Sequence, residues 1–428
     1  MLTILTRTDT SQQVEDAVAS VNRLDELVTV TIDANIIVDL KTLVVDSDKI
    51  IIPLDWYDLE PPYIFPNTPF TKENLLALVF YKIGNHQKAF EFVNEDSALY
   101  YHLLIATHLQ FGYEISELET AKKLAREQAS IAISDDAKNA MNTHLAGILM
   151  AQLQVPYNQQ GLDSVHELQL QSIAHFEAKG QKIQAGMLLV DAAEVANFKE
   201  DFIASKELIN RAIQYFKQED IPEFLGEAGF KKAILLYTWS KNGSPQYYKA
   251  AINAFQDVLK VFKRDTHPQK FADVHHNLAL IYSEIPVSAE EKPMWTAFCA
   301  SSFKEVLAFY NREEYPYENA MASHNYATAL MHFPPAKIHD NLEKAAGLFE
   351  NALEVRTAGK YPFERALTLM NQLELAWLTH NENSAEELKK YEEMKAKANE
   401  IKSLVTDVDL VSKADEHLEQ LEKVKSLI

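Results

Sequence analysis

The sequence predicts a mainly α chain, an α-α superhelix built as a solenoid of helical hairpins, preceded by a small N-terminal β-containing element. Three observations carry this reading. First, one stretch recurs, as Ala272-Asp-Val-His-His-Asn-Leu-Ala-Leu-Ile-Tyr282, Ala320-Met-Ala-Ser-His-Asn-Tyr-Ala-Thr-Ala-Leu330 and Ala366-Leu-Thr-Leu-Met-Asn-Gln-Leu-Glu-Leu-Ala376, each time after a proline (Pro268, Pro316, Pro362). Second, the shared asparagines keep a similar interval: Asn325 lies 48 residues after Asn277, and Asn371 lies 46 after Asn325. Third, the helical pattern runs from Phe70 to Ile428 with only short polar or Pro/Gly breaks, and the chain holds only 11 glycines. A fixed period of this length marks a helix-turn-helix array, because one amphipathic hairpin buries its apolar face only by stacking on its neighbours.

Residues 1–69 form the first segment. Val28, Val30 and Ile32, then Ile36-Ile37-Val38, Leu43-Val44-Val45 and Ile50-Ile51-Ile52, are short β-branched runs punctuated by Asp/Asn/Ser turns, and they predict three or four strands. Ser11–Ser20 fits a helix packed on them. The four prolines of Glu60–Pro69 preclude regular helix and mark a connector. Residues 70–400 form the repeat array, and the ladder of asparagines extends backwards through Lys232, Val190 and His144 at intervals of 45, 42 and 46 residues. Residues 401–428 form a capping helix, with Ala385–Ile401 and Lys413–Ile428 supplying Lys/Glu-rich outer faces that keep the end of the array wet.

Composition narrows the function. Asp and Glu number 62 against 41 Lys and Arg, a net charge of −21, which repels nucleic-acid phosphates and anionic lipid surfaces; neither is an expected partner. Cys299 is the only cysteine, so no internal disulfide forms, and its apolar surroundings from Trp295 to Phe303 make it a small buried hydrophobe. No long apolar run and no basic-flanked leader pattern occur, and a cytoplasmic location is the expectation.

The segment Lys72–Val93, with Leu76, Phe80, Gly84 and Ala89, resembles one tetratricopeptide (TPR) unit, as does Ala185–Tyr215 with Ala192, Ala204, Leu208 and Ala212. The longer repeats after Tyr247, most closely Glu313-Glu-Tyr-Pro through Glu354-Val-Arg-Thr, are similar to the elongated TPR units of kinesin light chains and of bacterial proteins that accompany CHAT peptidases. The resemblance covers residues 70–400, is loose between 95 and 180, and includes no peptidase domain. It implies a concave groove lined by the first helix of each hairpin, where asparagine amides hold the backbone of an extended segment of another protein. The matching positions are Asn277, Asn325 and Asn371. An amide suits that task because it offers both donors and an acceptor to one peptide unit.

The 3.6-residue period puts Asp273, His276, Leu280 and Glu284 on the face of Asn277, and Met321, His324, Thr328 and His332 on that of Asn325. On the third helix Leu367, Met370, Glu374 and Leu378 share the face of Asn371. Lys231 and Lys232 hold the same phase one unit earlier, so the candidate partner-binding set is Asn277, Asn325, Asn371, His276, His324, Thr328, Lys231 and Lys232. Two other readings of these residues stay open. The asparagines equally suit satisfying groups of adjacent hairpins, and the lysines and histidines suit a carboxylate clamp, against which Asp273, Glu284 and Glu374 stand.

No metal site and no cofactor are expected. The 14 histidines show no His-Glu-x-x-His spacing, and the adjacent His275 and His276 point about 100° apart on a helix. Phosphate-cradling and nucleophile-elbow glycine motifs are missing, so catalysis is not expected. The expected function is a scaffold that binds a protein or peptide. The alternatives are a peptide-sensing regulator that changes conformation on binding, an enzyme whose site is assembled across repeats, and a structural assembly subunit. The aromatic pairs Trp56-Tyr57 and Tyr63/Phe65 fit packing between the small sheet and the first hairpin.

Overall fold

The computed structural model describes residues 2–4, 10–20, 27–30, 49–53, 71–110, 115–132, 134–220, 222–335, 340–381 and 383–424. The strands expected at 36–38 and 43–45, the 60–69 connector and the aromatic pairs at 56–57 and 63–65 lie outside the described residues. The chain divides into two compact units, residues 1–267 and 268–428.

In the first unit, strands β1 (Leu2–Ile4), β2 (Leu27–Val30) and β3 (Lys49–Pro53) pair in parallel in the order β1-β3-β2, with Leu2 opposite Lys49 and Val28 opposite Ile51. Helix α1 (Ser11–Ser20) packs on α2 (Lys72–Lys82) through buried Val14, Ala17 and Val18. The Lys72 ammonium donates to the Val18 and Ala19 carbonyls at 2.9 and 3.1 Å, covering acceptors that the end of α1 leaves open.

The helices then follow in antiparallel pairs: α2 with α3 (His86–Phe90), α4 (Ala98–Gln110) with α5 (Ile115–Ile131), and α6 (Asp135–Ala151) with α7 (Gln159–Ala178). Next come α8 (Lys182–Phe198) with α9 (Phe202–Gln218), and α10 (Pro222–Lys241) with α11 (Tyr248–Val258). The turns are made by local chemistry. Gly180 stands at φ 71° after α7, and the Gln181 N–H reaches back to the Phe176 carbonyl. Glu200 adopts the same left-handed conformation after α8, at φ 60°, and Asp201 then caps α9 by accepting from the Ala204 N–H at 3.0 Å.

The second unit repeats one design three times: α12 (Pro268–Glu284) with α13 (Lys292–Phe309), α14 (Pro316–Met331) with α15 (Asn341–Val355), and α16 (Pro362–Leu378) with α17 (Ser384–Leu404). Helix α18 (Val408–Val424) packs on α17 and α16. Each first helix opens with proline, whose fixed φ and missing N–H cost nothing in the first turn. Ala385–Ile401, expected as part of a cap, is instead most of the second helix of the third hairpin.

Equivalent positions carry equivalent burial. Ala272, Ala320 and Ala366 are fully buried, as are Val306, Ala352 and Ala398 on the second helices. Cys299, Ala345 and Tyr391 also share one position in the core, where the Cys299 thiol donates to the Ala279 carbonyl at 3.2 Å and burial pushes its pKa up to about 12. Phe303 and Phe349 fill the hairpin centres, each contributing about 1.5–3 kcal/mol by leaving water. A cross-hairpin cap recurs as well. The Asn319 amide donates to the Tyr310 carbonyl at 2.7 Å, and nine residues after Arg356 the Arg365 guanidinium does the same to the Arg356 carbonyl at 3.1 Å.

Candidate functional site

In the second unit the first helices α12, α14 and α16 lie side by side, and the conserved spacing of the asparagines puts Asn277, Asn325 and Asn371 on one face of that layer. All three are half-buried. The residue before each asparagine, His276, His324 and Met370, turns inward toward the hairpin. His276 lies against Phe303 at a ring separation of 6.1 Å, His324 against Phe349 at 5.6 Å, and Met370 is buried in the core cluster that holds Leu373, Tyr391 and Met394.

These layers are tied across the repeat. Asn325 Nδ2 lies 2.9 Å from His276 Nε2, and Asn371 Nδ2 lies 3.3 Å from His324 Nε2 and 2.8 Å from Thr328 Oγ1. Asn277, the first rung, donates to the Asp273 carbonyl of its own helix at 2.9 Å. On the far side of the His324 ring, Nδ1 is 3.2 Å from Thr368 Oγ1, and the Arg356 guanidinium donates to that same hydroxyl at 2.9 Å.

Donor accounting fixes the direction of this network. The Thr368 hydroxyl spends its proton on the Glu364 carbonyl (2.9 Å), so it accepts from both Arg356 and His324. His324 therefore carries its proton on Nδ1 and accepts through Nε2. The Thr328 hydroxyl likewise donates to the His324 carbonyl at 2.9 Å and accepts from Asn371. Both hydrogens of the Asn371 amide are thus consumed inside the protein, which leaves Oδ1 as its only open group. Among the described residues, Oδ1 of Asn277 and of Asn325 has no protein donor either.

The electrostatics agree with neutral rings. Burial pulls the His276 pKa down to about 4, and burial together with the Arg356 charge brings His324 to about 4. Burial also lowers the pKa of Arg356, which is 4% exposed and whose hydrogen-bonding partners are a carbonyl and a hydroxyl rather than a carboxylate.

Sequence reasoning grouped His276 and His324 with the asparagines as groove-lining residues. In the structure they lie beneath them, because one residue step rotates a side chain about 100° around the helix. The asparagine was also expected to offer donors and acceptor together, whereas the neighbouring repeat takes both hydrogens at Asn371 and one at Asn325. The adjacent His275 diverges from His276 and meets Ser302 Oγ of α13 at 3.2 Å.

Lys231 and Lys232 belong to the first unit, on α10. The Lys231 ammonium is held at 3.0 Å by both oxygens of Glu194 on α8, and Lys232 is half-buried with its pKa lowered by burial and by Lys206. Beside this pair lies Asp191, which the sequence reading missed. Burial raises its carboxyl to about 7, against the pull of Lys231 and with the push of Glu194. The available signal was an acid set between apolar residues in Leu189-Val-Asp-Ala-Ala193. A few residues along, the Trp239 indole donates to Asn197 Oδ1 at 2.6 Å, again between first helices.

A separate cleft of about 420 Å³ opens where α16, α17 and α18 meet, walled by Trp377, Tyr391, Met394 and Leu421, with the Glu387–Lys390 pair at its edge. Among the described residues, no cluster of three or more His, Cys, Asp or Glu is placed to hold a metal ion, and no helix is long and apolar enough to cross a membrane.

No protein-family model matches the chain, and no curated protein matches it. Among solved structures it is similar to a circular tandem repeat protein with novel repeat topology and enhanced subunit contact surfaces. That similarity has 14% identity, covers 82% of this chain and 88% of that one, and gives a TM-score of 0.23. The chain itself is mainly α, with consecutive helices packed as in a helical repeat.

Proposed function

We propose that the chain is a cytoplasmic, non-enzymatic scaffold of the TPR type that receives an extended segment of another protein on the α12–α14–α16 face. The observation that carries this reading is the row of three half-buried asparagines, each with Oδ1 unpaired among the described residues, at equivalent positions of adjacent first helices. Each of these oxygens reaches solvent, so a strand of backbone N–H groups can take the place of the water that otherwise satisfies the row. Each hydrogen bond contributes roughly 1 kcal/mol net, so neighbouring apolar residues such as Leu280, Met321 and Leu367 supply the rest of the affinity.

The engaged Nδ2 groups favour a second reading, in which the ladder serves to hold the register of the stack. One comparison separates the two. Affinity capture from cytosol is run with the wild type beside the triple variant Asn277→Ala, Asn325→Ala, Asn371→Ala, after circular dichroism and melting have shown both folded. A partner retained by the wild type and lost by the folded variant supports segment recognition. Equal retention together with a lowered melting temperature assigns the ladder to stacking alone.

A further inference from the structure

From the chemistry of the same face, and resting on the reading just given, we infer that the segment it receives is cationic: an extended stretch carrying Lys or Arg side chains, with its backbone N–H groups free to donate. Two independent observations carry this. The first is the hydrogen-bond direction. Asn371 has both amide hydrogens committed, to His324 Nε2 and Thr328 Oγ1, and Asn325 and Asn277 direct Nδ2 to His276 and to the Asp273 carbonyl. Asn371 therefore presents only its oxygen, while Asn325 and Asn277 each keep one N–H beside theirs. Every rung offers an oxygen to backbone donors, and at Asn371 a carbonyl of the segment would meet an acceptor with no hydrogen to share.

The second observation is the charge. The three first helices carry five carboxylates, of which Asp273 accepts from the Tyr310 hydroxyl and has its pKa raised by burial; Glu284, Glu318, Glu364 and Glu374 stand against two basic side chains, Lys270 and Arg365. Arg365 is already committed, with Nε on Glu400 of α17. Arg356 lies beneath the network, 4% exposed, and offers no cationic surface. The whole chain adds a field of the same sign, at a net charge of −21. A basic segment is drawn to such a face and an acidic one is repelled.

The ladder also sets a length. Neighbouring packed helices stand about 9–10 Å apart, so three rungs span about 20 Å, the reach of about six residues of extended chain.

The test uses the full chain and three fluorescein-labelled peptide pools of about ten residues, random except at alternate positions fixed as Lys, Gln or Glu, read by fluorescence anisotropy. The Lys pool is expected to bind about ten-fold more tightly than the Gln pool and the Glu pool most weakly, with the gap shrinking as salt rises. The double variant Glu318→Gln, Glu374→Gln is expected to narrow the gap, and N-methylation of the Lys-pool backbone to abolish binding. Ladder-dependent binding in which the Gln or Glu pool equals or exceeds the Lys pool overturns the cationic assignment and leaves segment recognition standing. Undiminished binding of the N-methylated pool overturns the donor assignment. If the triple asparagine variant binds every pool as the wild type does, segment recognition itself fails, and this inference with it.

Discussion

Replacing His276 and His324 together by glutamine should flatten the acid sensitivity of the second unit. Both rings are held neutral in the fold, with their pKa values pulled down to about 4 from an ordinary 6.5. The unfolded segment therefore takes up protons first as the pH drops. The stability these groups support is fully present above about pH 6.5 and is lost as the pH falls toward 4. At pH 5 a group with this shift forfeits roughly 2 kcal/mol relative to pH 8, a factor of about 30 in the opening equilibrium. Glutamine keeps an acceptor for the Asn325 or Asn371 amide and does not titrate. Native-state hydrogen exchange read by mass spectrometry over α12, α14 and α16 isolates the effect, because it reports local opening without requiring the two units to unfold together. The expected result is that wild-type protection, corrected for intrinsic exchange, falls from pH 8 to pH 5 by about 30-fold or more beyond the fall in the double variant. Parallel pH profiles for the two proteins would refute the assignment of neutral, accepting imidazoles to the seam.

Two further outcomes follow from the first unit. Asp191 is raised to about 7 by burial, so folding costs progressively more as the pH climbs from about 4 to 7; Asp191→Asn should raise the melting temperature at pH 8, by at most about 4 kcal/mol of stability, and by much less at pH 5. A gain of equal size at both pH values would show that the carboxylate is not penalised by its surroundings. Gly186→Ala tests the contact of α8 with α9: a Cβ there would stand 2.6 Å from Phe216 Cε1, and that ring is fully buried and edge-on to Phe224 at 5.4 Å. The overpacking cost of about 1–3 kcal/mol exceeds the helix-propensity gain of about 1 kcal/mol, so the melting temperature should fall, and a rise would show the interface to be slack.

Much of this architecture is legible in a single chain because it is written locally. The prolines at 268, 316 and 362 open helices whose starts need no N–H, and the alanines four residues on mark where the stacked helices approach most closely. The asparagine interval of 46 to 48 residues places three amides on one face, since equal phase within equal hairpins gives equal direction. The burial of Cys299 follows from its apolar neighbours in the same way.

What the period does not contain is the identity of each polar partner. Whether His324 lines the surface or lies beneath it depends on the azimuth of α14 against α15 and α16, a difference of one residue step. Whether Asn371 keeps its donors depends on Thr328 and His324, 43 and 47 residues away. Asp191 appears in the sequence as an ordinary acid, and becomes a proton-holding one only when the packed helices bury it, against the opposing charge of Lys231. Amphipathic period and turn chemistry act within a few residues, so the sequence by itself determined the helices, their pairing and the row of asparagines. Desolvation and donor–acceptor matching act between groups some 40 residues apart, so the tertiary structure alone decided that Asn371 presents only its oxygen.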